Sequence, residues 1–304
     1  MRLFHQRVWS THLHASVLCN VSGSGKTLAV LAGLREYWGF YLTAARAPGP
    51  NGVGSKDLVN AVNKMPKQAG WITDALHCQS KTSLEASQNN EVIASREIAK
   101  VLRARYTIFQ LFIEVARDVH GGLPEDVKAD WMLFQSFPML GEDVFAAFVN
   151  TCLSDVDEIL LSKLDRITPE NILRDHGCPF YFVLDEVQAA GEAHPQSFCD
   201  KSGVQPRPVL RPLIARLAEE DNNYPIIVSG TGFSLDDIET VIESGVGKDL
   251  QWKIHHALDD LSERSTQEAY VRRYLPPAFL ETKAGQLLLE KLWELCRGRL
   301  VPGM

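Results

Sequence analysis

An α/β fold with a largely parallel central sheet is the architecture this sequence predicts, and three observations carry it. Short apolar runs alternate with helical stretches along the chain. One run, Pro179-Phe-Tyr-Phe-Val-Leu184, is six residues without a charge, as suits a strand covered on both faces. Three runs also end in polar groups, Ser22–Thr27, Asp185-Glu186 and Ser229–Thr231. Open parallel sheets bind their ligands at the carboxyl ends of the strands.

Taken in order, residues 1–14 read as a short leading helix or arm. Then comes Ala15-Ser-Val-Leu-Cys-Asn-Val-Ser-Gly-Ser-Gly-Lys-Thr27, a strand, a glycine-rich turn and a helix start. From Asn20 onward it meets the phosphate-binding pattern G-x-x-x-x-G-K-[ST] at every fixed position but the first. Gly23 and Gly25 let successive N–H groups converge on anionic oxygens, with Ser22 and Ser24 between and beside them. The helix that follows adds its positive N-terminal end. Lys26 is placed to reach the β- and γ-phosphates, and the Thr27 hydroxyl to hold Mg²⁺. Asn20 departs from the glycine of the pattern, but asparagine tolerates the left-handed region better than most residues.

The helix is expected to run to about Tyr37 on Leu28, Val30, Leu31 and Leu34. Trp38 to Ala44 is a second strand, and Ala47 to Ser55 a loop, with Ser55 capping a short helix that carries Leu58, Val59 and Val62. Residues 66–90 are poorly periodic, and Lys81 to Asn90 read as exposed and mobile. Val92 to Val119 is the longest helical pattern, and its Arg96, Lys100, Arg103, Arg105 and Arg117 read as a solvated face. A second long helix is expected from about Glu142 to Leu164, giving a mostly helical insertion at about 66–176. After the uncharged strand come a ragged loop (Gly191 to Pro208), a helix (Val209 to Glu220) and a strand (Tyr224 to Ser229). Ser234 is placed to cap a further helix, Gln251 to His255 reads as a last short strand, and residues 262–298 as two helices broken at Pro276-Pro277.

Composition narrows the function. The 304 residues carry a net charge of −7, which makes no global bid for nucleic acid or an anionic membrane. Six cysteines lack C-x-x-C spacing, which argues against a zinc site or a disulfide framework. His5, His12 and His14 cluster without a carboxylate or cysteine and read as surface residues. The first residues lack the apolar core of a secretory signal, and no run approaches the roughly 20 apolar residues of a membrane span. The expectation is an intracellular protein, cytoplasmic or nuclear.

Asp185, closing its apolar strand, has the form of a Walker B aspartate that helps hold Mg²⁺. Glu186 is then the general base for an attacking water. Thr231, with Ser229 second, is the candidate sensor of the terminal phosphate. Arg264, Arg272, Arg273, Arg297 and Arg299 all remain open as the arginine for transition-state charge, as does an arginine supplied by a partner subunit. The nearest string to a guanine-reading motif, Asn63-Lys-Met-Pro66, lacks its aspartate, which favours ATP.

Val21-Ser-Gly-Ser-Gly-Lys-Thr27, Trp38-Gly-Phe-Tyr41, Phe182-Val-Leu-Asp-Glu-Val-Gln188, Val228-Ser-Gly-Thr-Gly-Phe-Ser234 and Trp293-x-x-x-Arg-Gly-Arg299 follow in that order. Together they resemble the P-loop ATPase module of Crinkler-type and retrotransposon-hot-spot-like proteins of fungi and oomycetes. The resemblance implies a P-loop NTPase fold with an extra strand between the Walker A and Walker B strands. It matches Lys26 and Thr27 to the P-loop roles and Asp185 and Glu186 to the Walker B roles. The expected function is Mg²⁺-dependent ATP hydrolysis driving a change of shape or assembly, and the expected partners are the nucleotide and a second copy of the chain or another protein. The alternative is a non-catalytic nucleotide-binding switch or scaffold. The resulting division is an arm (1–14), a P-loop core (15–260) and a C-terminal helical segment (261–304) that reads as truncated, without an effector domain.

Overall fold

The computed structural model describes residues 9, 15–19, 25–45, 52–78, 81–138, 142–156, 161, 167–174, 179–220, 224–231, 252–255, 264–272 and 275–296. Five strands form one parallel sheet: β1 (Ala15–Cys19), β2 (Trp38–Thr43), β3 (Phe180–Asp185), β6 (Ile226–Gly230) and β7 (Trp252–His255). Their order is β2-β3-β6-β1-β7, so β6 stands between β1 and β3. Two short strands, β4 (Phe198–Cys199) and β5 (Pro206–Arg207), pair antiparallel elsewhere.

Every residue of β2, β3 and β6 is buried, but the strands still sort their side chains by alternation. Phe180, Phe182 and Leu184 point into the larger core cluster, and Tyr181 and Val183 into a smaller one on the opposite face. The smaller face is closed by α1 (Lys26–Leu34), which buries Val30 and Leu34 there. Helix α1 stops three residues before Tyr37, the expected end. Tyr37 instead stacks on Trp9, and the Tyr181 hydroxyl donates to the Trp9 carbonyl at 2.7 Å. Trp9 of the expected arm is thus a core residue.

The larger face is closed by helices that mostly lie between β2 and β3. These are α2 (Asp57–Lys64), α3 (Ser83–His120), α4 (Val127–Ser136), α5 (Val144–Cys152) and α6 (Pro169–Leu173). A seventh, α7 (Val187–Gly191), follows β3, and α8 (Leu210–Glu220) precedes β6. Three more, α9 (Arg264–Val271), α10 (Pro277–Leu280) and α11 (Lys283–Cys296), finish the described chain. None of the described helices is long and apolar enough to cross a membrane.

Several expectations are corrected here. Lys81 to Asn90 is not a mobile stretch, because a capping box between Thr82 and Glu85 starts α3 at Ser83. Asn90 is buried, with its amide on the carbonyls of Ile72 and Ser197. A polar residue satisfied by loop backbone looks like surface in a hydropathy pattern. The basic stripe is not a solvated face either, since Lys100, Arg103 and Arg105 are buried. Lys100 pairs with Glu97 at 3.0 Å, and Arg105 with Asp57 at 2.7 Å. The helix expected over Glu142 to Leu164 ends at Cys152, and α4 was not foreseen. Lys56, not Ser55, occupies the cap position of α2, although the Ser55 hydroxyl accepts from the Asp57 N–H at 3.0 Å. Within the expected loop of 191–208, β4 and β5 pair and Phe198 is fully buried. The Ser234-capped helix and His5, His12 and His14 lie outside the described residues.

β2 is an edge strand whose outer backbone groups find side-chain partners. The Tyr41 N–H donates to Gln135 Oε1 at 2.8 Å. The Gly39 carbonyl accepts from Trp131 Nε1 at 2.9 Å and from Gln135 Nε2 at 3.0 Å. The Tyr41 carbonyl accepts from Arg105 Nη1 at 2.7 Å. Covering an edge in this way satisfies groups that otherwise template pairing with another chain. It also fixes Tyr41, whose ring reaches the site described next.

Candidate functional site

The site forms where β3 and β6 end and α1 begins. Gly25, at φ 86°, holds the left-handed turn into α1, a conformation glycine adopts without a Cβ clash. Lys26 and Thr27 follow on the first turn. The Thr27 hydroxyl donates to Asp185 Oδ2 at 2.8 Å, joining residues 158 positions apart. Asp185 is 1% exposed. Its Oδ2 also accepts the Tyr41 hydroxyl at 2.8 Å, and its Oδ1 accepts the Glu186 N–H at 3.0 Å. Three donors fix one buried carboxylate, so the acid is held in place by β2, α1 and its own chain.

Lys26 is buried, and burial pushes its ammonium below the ordinary lysine range. The nearby charges of Asp185 and Glu186 oppose that effect. A buried cation beside a glycine turn is suited to an anionic ligand, which returns the solvation it has lost. Burial also drives the Tyr41 phenol well above its ordinary value, reinforced by the charge of Asp185 and the bond to it. Tyr41 therefore stays a donor to Asp185 across the neutral range.

Glu186 has φ 56° and ψ 39°, in the left-handed region, and caps the five-residue α7. A residue with a side chain is strained there by about 1–3 kcal/mol, a condition that tends to gather at functional sites. Its carboxylate accepts from Gln188 Nε2, and Gln188 Oε1 accepts from the Thr231 N–H at 3.1 Å. Ser229 is fully buried, and among the described residues its Oγ has no hydrogen-bond partner. It follows Ile227 by two residues, as Asp185 follows Val183, so both point to the face that carries α1.

The structure thus gathers Gly25, Lys26, Thr27, Asp185, Glu186, Ser229 and Thr231 at one end of the sheet. Ser22, Gly23 and Ser24 lie outside the described residues. Sequence reasoning missed Tyr41 and Gln188 as parts of this site. Tyr41 sits within an apolar strand and reads as core. Gln188 appeared only within a family string. Of the candidate arginines, exposed Arg264 pairs with Glu268 at 2.8 Å, and Arg272 lies 4.0 Å from the same carboxylate. Arg273, Arg297 and Arg299 fall outside the described residues.

The donor set suits a hard divalent cation. Thr27 and Asp185 offer oxygen ligands side by side, and Ser229 adds a buried hydroxyl on the same face that finds no partner among the described residues. Among the described residues, no group of three or more His, Cys, Asp or Glu could hold a metal by itself. Mg²⁺ commonly takes one or two protein oxygens and completes its shell with water and phosphate. Comparisons with protein-family models, curated proteins and solved structures find no match.

Proposed function

We propose that this chain is a P-loop ATPase that binds and hydrolyses Mg²⁺-ATP and uses the cycle to change its shape or assembly. The observation that carries the reading is the 2.8 Å bond between Thr27 and Asp185. It joins the end of a glycine turn to the end of an apolar strand, as nucleotide-bound Mg²⁺ requires. The position of β6 between β1 and β3 also fits the class of P-loop ATPases with an extra strand there. The resemblance to Crinkler-type modules, and a homo-oligomer or protein partner, are part of this proposal.

In this reading Lys26 neutralises charge on the β- and γ-phosphates, and the start of α1 at Gly25 and Lys26 supplies backbone N–H donors. Thr27 and Asp185 would hold Mg²⁺, which supplies charge neutralisation at the phosphates when bound. Tyr41 keeps Asp185 oriented. Glu186 accepts the proton of the attacking water. Thr231, at the end of β6, contacts the terminal phosphate.

Phosphate release tests the proposal on wild type, Lys26→Ala and Glu186→Gln, with ATP binding followed on the same samples. The expected result is turnover by wild type, loss of binding in Lys26→Ala, and binding without turnover in Glu186→Gln. Wild-type rates in both variants would sink the assignment. Tight binding without turnover by the wild type would move it to a nucleotide-binding switch.

A further inference from the structure

We propose that Gln188 is a positioning residue that ties the Glu186 carboxylate to the carboxyl end of β6. The inference rests on the ATPase reading and deepens it. The Gln188 amide lies between two groups with fixed demands. Its Nε2 donates to the Glu186 carboxylate, and its Oε1 accepts from the Thr231 N–H at 3.1 Å. A carboxylate only accepts and a backbone N–H only donates, so a single orientation of the amide serves both. Donation into Oε1 polarises the amide and strengthens Nε2 as a donor.

The backbone on both sides is shaped for this bridge. A Cβ at residue 230 would meet Gln188 Oε1 at 2.8 Å and Val187 Cγ2 at 2.8 Å. A Cβ there would push the amide oxygen out of its present position under Thr231. On the other side, Glu186 takes its left-handed conformation immediately before α7, so residues 186 and 188 share one turn. A glycine within a strand end and a strained glutamate both carry a stability cost, and both stand at the same bridge. A displacement of Thr231 by a terminal phosphate would therefore pass through one amide to the group that takes the proton from water. The residue that reads the ligand and the residue that acts on it share a single hydrogen-bonded link.

Gln188→Met and Gln188→Glu test this. Both nearly keep the side-chain shape. The Met variant removes both bonds, whereas the Glu variant keeps an acceptor for Thr231 and sets a carboxylate against Glu186. MgATP affinity, kcat, KM and thermal midpoint are measured on each, beside wild type and Glu186→Gln. In both variants kcat should fall at least about tenfold, with affinity within about threefold of wild type. The thermal midpoint of Gln188→Met stays near that of wild type, so lost turnover is not lost folding. If Gln188→Glu does not fold, Gln188→Met carries the test. Turnover within about twofold of wild type, or a raised KM at constant kcat, overturns the inference. If that happens while Glu186→Gln is inactive, the ATPase reading still stands. No wild-type turnover, or a fully active Glu186→Gln, overturns both.

Discussion

Replacing Tyr41 by phenylalanine removes one hydroxyl and leaves the ring in place. That hydroxyl donates to Asp185 Oδ2 at 2.8 Å, and each residue is 1% exposed. A hydrogen bond to a charged group contributes about 1.5–3 kcal/mol. Asp185 keeps two other donors, Thr27 and the Glu186 N–H, which sets the expected loss at the low end, about 1.5 kcal/mol. Urea denaturation at neutral pH measures it, with an unchanged slope showing that the unfolded state is the same. The pH dependence supplies an independent reading. In the unfolded chain Tyr41 ionises near 10.0, and in the folded chain burial holds it protonated well beyond that. Above pH 10 the unfolded state therefore binds fewer protons than the folded one, and stability falls as pH rises. Phenylalanine has no such proton. The gap between the two proteins is thus constant up to about pH 10 and closes above it. A gap below about 0.3 kcal/mol at neutral pH, or one that widens above pH 10, would refute the assigned bond.

Other perturbations reach the site from different sides. Arg105→Met strands the Asp57 carboxylate, which is wholly buried, and should cost about 3–5 kcal/mol in the same denaturation experiment. The double variant Asp57→Leu with Arg105→Met should recover much of that loss, and an additive double variant would contradict a paired burial. Lys26→Met exchanges a buried cation for an apolar chain of similar length, so its ligand-free melting point should equal or exceed that of wild type. A clear drop in that melting point would show that the Lys26 charge stabilises the empty fold. At residue 186, with φ 56°, Glu→Gly should be more stable than Glu→Ala by about 1 kcal/mol. Equal melting of the two would remove the strain assigned there.

Much of the sheet was legible because burial on both faces leaves a plain mark. The uncharged run ending in Asp185 and the apolar strand before Ser229 each announce a covered strand and a polar tip. Lys26 and Thr27 were legible as a pair at the start of a helix, since Gly25 turns the chain and sets both on the first turn of α1. The helical layer was harder, because Asn90, Arg105 and Gln135 are polar residues used inside the core. Each is buried to satisfy a group on another element, such as the free backbone of β2. No local pattern reveals that need, as it exists only once the sheet edge is in place. Tyr41 was hidden for the opposite reason. A tyrosine among Trp38, Phe40 and Leu42 looks like any core residue, and only the turn of the strand shows its hydroxyl meeting Asp185. Gln188 was hidden because its two partners, Glu186 and Thr231, belong to different strand ends.

The central claim is that Lys26, Thr27 and Asp185 form a nucleotide site that works with Mg²⁺. Calorimetric titration of ATP into wild type and Lys26→Ala, in Mg²⁺ and again in EDTA, tests it most directly. Wild type should bind saturably in Mg²⁺ and more weakly in EDTA, and a folded Lys26→Ala should not bind. Equal binding by both proteins, or no binding by a folded wild type, would contradict it.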